Sequence, residues 1–307
     1  VVCGAPNVKS GMIGVFANVE TYVPGIDLIL KKTKIRGETS EGMLCSEKEL
    51  TLSENHEGII ELPENSKIGV PIVNIMELTD PIIEIEITPN RGDCLGVRGI
   101  ARDLSAAGMG VLKDLDFKKI EGDFESLINW KIDLDEDKKN LCPKIHGRSF
   151  QNLVNVESPS WLKNRLLAVD QRPISSLVDI TNYIMFDLNR PMHAYDADKI
   201  DGNIIVRESE NDESFNALDE KNYKVPSGAC LITDKDKILG LGGVIGGQSS
   251  AINFDTKNII LEAAAFDPVK IAKVSKQLGI ITDAKFRFER GVDPNSIETG
   301  LKLAAKL

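Results

Sequence analysis

Apolar positions change their spacing three times along this chain, and each spacing predicts a different kind of element. Residues 1–80 carry short apolar runs broken by Gly, Pro and Asn: IGVFANVETY, LILKKTKIRG, GMLCS, GIIELP and VPIVNIMEL. Runs this short, bounded by turn formers, predict several short strands and hence a small barrel or sandwich. Thr79, Asp80 and Pro81 break the pattern. IIEIEITP (82–89) then alternates with period two and predicts a strand. In the following NRGDCLGVRGIARDLSAAG, Leu95, Val97, Ile100, Ala101 and Leu104 share one helical face. Asp93 is the expected N-cap of that helix, and Gly108 its stop. Residues 112–140 are heavily charged and read as an exposed connector, with one strand near 130–132.

From about residue 143 the element types mix. Ser158 and Pro159 predict an N-cap and first residue for a helix carrying Trp161, Leu162, Leu166 and Leu167. Pro173 is placed to open the next helix, along which lie Ile174, Leu177, Val178, Thr181 and Ile184. Strand-like runs follow at NIIVRES, ACLITD, KILGLGG and NIILEAAAF. Asp267 and Pro268 predict the start of a helix that stops at Gly279, and Asp293 and Pro294 repeat the device. Phe286 and Phe288 alternate and favour a strand. Helices and strands without strict alternation predict an α+β unit here, so the whole chain reads as multidomain α+β. Internal repeats and low-complexity tracts are absent from the sequence.

At 307 residues the chain has room for two or three domains. No apolar run reaches the ~18 residues of a membrane-spanning helix, and the residues from Val1 carry no charged n-region or apolar h-region, so no signal peptide is expected in them. The chain starts at Val1 without an initiator Met and stops inside the helix-like GLKLAAKL, so a fragment of a longer protein is expected. Five cysteines stand far apart without a CxxC pair. That pattern predicts neither a zinc site nor a disulfide framework, and a reduced, cytoplasmic setting. A net charge of -10 opposes bulk attraction to nucleic acid but leaves room for a local basic face.

Six constellations carry candidate chemistry. Lys9, Lys31, Lys32, Lys34 and Arg36 form a basic strip with Phe16 and Tyr22 nearby; it is a nucleic-acid groove or a solvated strand face. Asn90, Arg91, Asp93 and Arg98 have a turn and a helix start as their bland explanation, and their glycines fit no nucleotide fingerprint. His193 is one of three histidines; no GxSxG and no second His at metal spacing accompanies it. That argues against a Ser-His-Asp triad and zinc hydrolysis, and leaves a structural histidine or a site histidine. LGLGGVIGGQSS (239–250) serves either tight backbone packing or a ligand approached by backbone N–H groups. Glu262, in NIILEAAAF, is either an exposed strand-end residue or the specificity group at a pocket floor, with small alanines leaving space beside it. LGIITDAKFRFERGVDP (278–294) joins a turn to a charged segment.

Several of these segments, in their order, resemble the beta subunit of bacterial phenylalanyl-tRNA synthetase. GAPNVKSG, VPG, KIRGETSEGMLCSEKEL and HEGIIELP are similar to that family's tRNA-binding domain, an OB-fold of the endothelial-monocyte-activating-polypeptide type. RPISSLVDITNYIMFDLNRPMHAYD (172–196) and TDAKFRFERGVDP resemble its B3/B4 editing domain, with Lys285 where many members carry Ser. The resemblance implies an OB-type β-barrel for tRNA binding over 1–76, a partial small α+β domain and connector over 77–142, and the editing domain over 143–307. It implies hydrolytic editing of mischarged Tyr-tRNA(Phe), with Arg172, His193 and Thr282 at the reaction and Glu262, Gly246 and Ala284 on the substrate. Asp179, Thr181 and Asn182 would help line the site. The lysines and Arg36 of the basic strip would bind tRNA. No cofactor or metal is implied for this part; ATP and Mg²⁺ serve the whole enzyme, with the alpha subunit in a heterotetramer of two alpha and two beta chains. A non-catalytic tRNA-binding module and a structural scaffold stay open beside this reading.

Overall fold

Turn formers cut the first eighty residues into strands of two or three residues that pair locally. The computed structural model describes residues 1–307 apart from 54, 77, 80, 116–119 and 212. It divides into two compact units, Val1–Pro81 and Ile82–Leu307. The expected break at 79–81 and the charged connector of 112–140 both include residues outside the described ones.

The first unit contains β1 (Ile13–Gly14), β2 (Phe16–Asn18), β3 (Tyr22–Val23), β4 (Leu28–Ile29), β5 (Thr33–Ile35), β6 (Glu38–Ser40), β7 (Gly42–Leu44) and β8 (Glu61–Leu62), then the short helix α1 (Ile72–Ile75). The strands form four antiparallel pairs, β1 with β8, β2 with β7, β3 with β4 and β5 with β6. Ala17, Val23, Leu30 and Cys45 make their small core.

The second unit opens with two departures from the periodicity. Residues 82–88 form no strand: Ile82 and Ile83 are 70% and 75% exposed, because no described strand lies beside them to accept the alternation. Asp93 does not cap the next helix, α2 (Val97–Ala106), whose N-cap is Gly96. Its carboxylate is drawn instead to Arg91 and Arg102. α2 packs on a later helix, α4 (below), and the Asn189 side chain ties the two by donating to the Gly92 carbonyl at 2.7 Å.

The remaining elements are β9 (Trp130–Asp133), β10 (Lys144–Phe150), α3 (Ser160–Leu167), α4 (Ser176–Leu188), β11 (His193–Asp196), β12 (Ile204–Glu208), β13 (Ser214–Asn216), β14 (Asn222–Lys224), β15 (Cys230–Thr233), β16 (Ile238–Leu241), β17 (Ile245–Gly246), β18 (Ile259–Ala265), α5 (Pro268–Leu278), α6 (Asp283–Phe288) and α7 (Ser296–Lys306). The four apolar runs predicted as strands are β12, β15, β16 and β18. α5 has the expected ends: the Asp267 carboxylate accepts from the N–H groups of Val269 and Lys270, and Gly279 takes φ 67 at the stop. α3 starts one residue late, because the Ser158 hydroxyl donates to Asp179 and leaves Pro159 as the N-cap. α4 likewise starts three residues after Pro173, and α7 two after Pro294, with Asn295 as N-cap. The alternation at Phe286 and Phe288 is also overruled. Those residues are helical in α6, where Ala284 and Phe288 share a face and Asp283 pairs with Arg287 at 3.0 Å.

Two sheets make the frame. One has three antiparallel strands in the order β10-β18-β11; the other has five in the order β17-β16-β15-β12-β9, with β9 parallel to β12. Every residue of β18 is buried. Alternation splits its side chains between two cores. Leu261, Ala263 and Ala265 pack with Ile184 of α4 and Ile297 and Leu301 of α7. Ile260 and Ala264 join Tyr195, Leu231, Leu239 and Phe266 on the side of the five-stranded sheet. Each fully buried aliphatic side chain here contributes roughly 1.5–3 kcal/mol. The chain is mixed α+β throughout its second unit, and among the described residues no helix is long and apolar enough to cross a membrane.

Candidate functional site

The register of β11 against β18 sets the site. His193 lies opposite Glu262, and Tyr195 opposite Ile260. On the other edge of β18, Glu262 is opposite Gly147 of β10. Glu262 has the parity of Ile260 and Ala264, and His193 that of Tyr195, so both face away from the helical layer. The small side chains Ala263 and Ala265 point the other way, onto α4 and α7. The expectation that the alanines leave space beside Glu262 is therefore corrected for two of the three: strand pleating sends Ala263 and Ala265 to the opposite core.

Between the sheets lies a cleft of about 80 Å³, lined by His193, Tyr195, Glu262, Ala284, Phe288 and the glycine-rich run from Gly240 to Gly246. Sequence spans of up to about a hundred residues converge there. Glu262 is 6% exposed, and the Tyr195 hydroxyl donates to its Oε2. Burial pushes the Glu262 carboxyl up to about 7, an effect the Tyr195 hydrogen bond only partly offsets. Burial also holds the His193 imidazole down at about 4. His193 is thus neutral near pH 7; its Nε2 is buried and has no hydrogen-bond partner among the described residues. Its ring meets Tyr195 edge-on, centroids 4.4 Å apart. Burial and the neighbouring Glu262 carboxylate raise the Tyr195 hydroxyl well above its usual value, so it stays a donor.

Gly246 is required by close approach. A Cβ at this position would stand 2.4 Å from His193 Cε1 and 2.8 Å from its Nε2. The glycine-rich run therefore packs tightly, the first of its two sequence readings, and it also lines the cleft.

Thr282 sits beside the cleft without lining it. Its Oγ1 donates to the Val244 carbonyl at 2.8 Å and accepts from the Lys285 N–H at 3.1 Å. Lys285 turns away to Glu289 at 2.7 Å. Arg172 is exposed and outside the cleft lining, although Gln171 next to it reaches Asp283 at 3.4 Å. Of the α4 residues, Asp179 is fully buried and accepts from the Ser158 hydroxyl at 2.6 Å and the Ile174 N–H at 2.9 Å. Thr181 Oγ1 donates to Val178 O within the helix, and Asn182 is half-buried on it; none of the three lines the cleft. His193, Gly246, Glu262 and Ala284 are brought together; Arg172, Asp179, Thr181 and Asn182 lie outside.

Behind the cleft, Arg190 is wholly buried. Its guanidinium donates to Ala264 O at 2.6 Å, to Ser296 Oγ at 2.8 Å and to Asp293 O. It thereby joins the loop before His193 to β18 and to the start of α7. Sequence reading missed this residue, and it missed Tyr195. The alternation of HAYD carries the signal for Tyr195, since a strand that turns His193 into a cleft turns Tyr195 the same way.

In the first unit the basic strip is only partly free. Lys9 pairs with Glu61 at 2.6 Å, and Lys32 pairs with Glu41. Lys31, Lys34 and Arg36 are exposed, Arg36 at the turn between β5 and β6 with φ 52. Phe16 and Tyr22 are 46% and 54% exposed. In the second unit Asp93, Cys94 and Asp103 have ligand atoms close enough to share a cation. Both carboxylates are already engaged by Arg91 and Arg102, whose charges oppose one.

Two family models cover most of the chain. It belongs to the B3/4 domain family, whose model matches residues 141–307; a second model, described as "Putative tRNA binding domain", matches residues 1–71. Over all 307 residues the chain is 47% identical to a phenylalanine–tRNA ligase beta subunit from Mesorhizobium japonicum, and across its full length 46% identical to one from Brucella suis. The chain spans 38% of the length of each of these relatives. An N-terminal fragment of the phenylalanyl-tRNA synthetase beta subunit from Pyrococcus horikoshii aligns with 62% of this chain and 59% of its own. The identity is 16% and the TM-score 0.35, too low to bear on the fold.

Proposed function

We propose that this chain is the tRNA-binding and editing part of a phenylalanine–tRNA ligase beta subunit, and that its cleft hydrolyses mischarged Tyr-tRNA(Phe). Its similarity to such subunits along its whole length supports the reading. The observation that carries it is the buried Glu262 carboxyl on the cleft floor, with Tyr195 donating to its Oε2 and no hydrogen bond to its other oxygen among the described residues.

The chemistry follows from what a pocket can reject. A pocket shaped for Phe discriminates against Tyr by only ~10²-fold, because the added hydroxyl is easily tolerated. A second site that needs the hydroxyl reverses the preference. Tyrosine satisfies the free Glu262 oxygen, whereas phenylalanine leaves a buried polar group unpaired at a cost of about 1–3 kcal/mol. His193 is too weak a base near pH 7 to strip a proton from water, so it positions: its Nε2 holds the attacking water or the ester oxygen. The terminal ribose hydroxyl assists, and no protein nucleophile is used. Thr282 acts through Val244, keeping the glycine-rich wall in place. Arg172, exposed and next to Gln171, whose amide reaches Asp283 at the start of α6, takes the RNA backbone, and Asp179, accepting from the Ile174 N–H, holds the loop that carries Arg172 to α4, the helix of Thr181 and Asn182.

The four strand pairs of the first unit are the ribbons of an OB-type barrel over 1–76, which binds tRNA through Lys31, Lys34 and Arg36, with Lys9 and Lys32 flanking. Residues 77–142 form a partial small domain and connector, and 143–307 the editing domain. In the cytoplasm the whole enzyme pairs two such chains with two alpha subunits, which bring ATP and Mg²⁺ to aminoacylation.

The test is release of tyrosine from Tyr-tRNA(Phe) by this chain, with and without an alpha subunit. Release well above the buffer rate, and faster than release of phenylalanine from Phe-tRNA(Phe), is expected. Equal rates for the two, or release no faster than in buffer, would overturn the reading.

A further inference from the structure

The turn joining β13 and β14 reaches across to the cleft. The Leu218 N–H donates to the Gly246 carbonyl at 3.0 Å, and Ala217 forms a bridge with Gly247. The turn is pinned from within as well. Asp219 accepts from the Tyr223 hydroxyl at 2.6 Å and from the Lys221 N–H at 3.3 Å, and Ala217 N–H donates to Lys221 O at 2.9 Å. Asp219, Glu220 and Lys221 are what a solvent turn calls for. Leu218 is not. It is 47% exposed, while its neighbours Phe215 and Ala217 already supply the turn's buried anchors.

The position of Leu218 is set by Gly246. A Cβ built on that glycine would meet Leu218 Cδ1 at 3.0 Å and His193 Cε1 at 2.4 Å. The leucine methyl and the imidazole edge thus converge on one backbone atom. Glu262 is the floor, His193 lies opposite it in register, Gly246 abuts His193, and Leu218, just outside the cleft lining, abuts the same glycine.

We propose that Leu218 is a substrate-binding residue beside the cleft, presenting an apolar face to the terminal adenosine of the bound aminoacyl-RNA. The inference rests on the editing reading. With a phenol hydroxyl on Glu262, the ester lies level with His193, and the next group outward is the terminal nucleoside. A nucleobase has an apolar face whatever its identity, and a pinned, half-exposed leucine offers a complementary one without the entropy cost of ordering a loop.

The experiment compares two non-hydrolysable probes on the full chain, tyrosinamide and 3′-deoxy-3′-(L-tyrosylamino)adenosine, against wild type, Leu218→Ala and Leu218→Asp. Leu218→Ala should weaken the adenosine conjugate about fourfold, the factor for roughly one buried methylene, and leave tyrosinamide unchanged. Leu218→Asp should weaken the conjugate further. In deacylation of Tyr-tRNA(Phe), Leu218→Ala should raise KM and spare kcat. An equal loss for both probes, or no loss for either, overturns the proposal, because Leu218 would then face the amino acid or nothing. Failure of the editing reading itself is seen separately, as a wild-type chain that releases no tyrosine.

Discussion

Glu262 and His193 stand side by side on adjacent strands with opposite responses to burial. The Glu262 carboxyl is raised from 4.5 to about 7, so the cost of burying its charge is absent below pH 4.5 and grows as pH rises through 7. The His193 imidazole is lowered from 6.5 to about 4, so its cost appears as pH falls from 6.5 towards 4. Glu262→Gln should therefore stabilise the fold by roughly 1–3 kcal/mol at pH 8 and change little at pH 4, read by denaturant unfolding. A stabilisation as large at pH 4 as at pH 8 would contradict a raised carboxyl. Selectivity follows the same group. Glu262→Ala should narrow the preference for Tyr-tRNA(Phe) over Phe-tRNA(Phe) by a factor equivalent to about 1–3 kcal/mol, measured as the ratio of kcat/KM values. In the wild-type chain that ratio should also shrink between pH 8 and pH 6, since a neutral carboxyl left unpaired costs less than a charged one.

At the scale of elements, the glycine-rich wall and α6 are coupled through Thr282. Gly246→Ala should displace the His193 ring, because its Cβ has no room at 2.4 Å; a shift of that order costs about 10²-fold in deacylation rate. Thr282→Ala should remove both the α6 cap and the Val244 hydrogen bond, costing about 1 kcal/mol in stability; Thr282→Ser should restore it. What the sequence disclosed about these elements depended on competition between periods. β15 and β18 were legible because each is a short apolar run buried on both faces, and β12 and β16 because a short apolar run is buried along at least one face. In α6 the alternating Phe286 and Phe288 masked a helical spacing, and the deciding contacts of Phe288 with Phe266 and of Arg287 with Phe186 join residues far apart in sequence. The 82–89 run alternates from Ile83 to Thr88 and has no described strand beside it, so its pattern alone had no power to make it one. His193, Glu262 and the glycine-rich run stood out as candidates from the residues, while the choice of Gly246 and Ala284 came through resemblance; strand register explains why His193 and Glu262 meet. Arg190 gave no local signal at all, since its acceptors lie 74 to 106 residues away.

At the scale of the whole molecule, a net charge of -10 sets RNA against most of the surface. Binding of the chain to tRNA should be weak and fall steeply with salt. Reversing Lys31, Lys32 and Lys34 should lower affinity and flatten the salt dependence by about one unit of slope for each phosphate no longer neutralised. Lys32, already paired with Glu41, should contribute least when the three are reversed singly. Unchanged affinity in the triple variant, measured by filter binding across a salt series, would assign the first unit another role.

The floor of the cleft is a rung of a sheet, with Gly147 bonded along one edge of β18 and His193 along the other. A carboxyl mounted there has a fixed depth, since moving it means breaking two ladders at once. On the proposed reading the cleft works as a depth gauge rather than a yielding glove. A side chain whose polar tip falls short leaves a gap that nothing nearby can fill, and one that is too long must stand proud at the rim. Changing which amino acid is gauged calls for altering the floor residue itself, while altering the rim changes only what is admitted behind it.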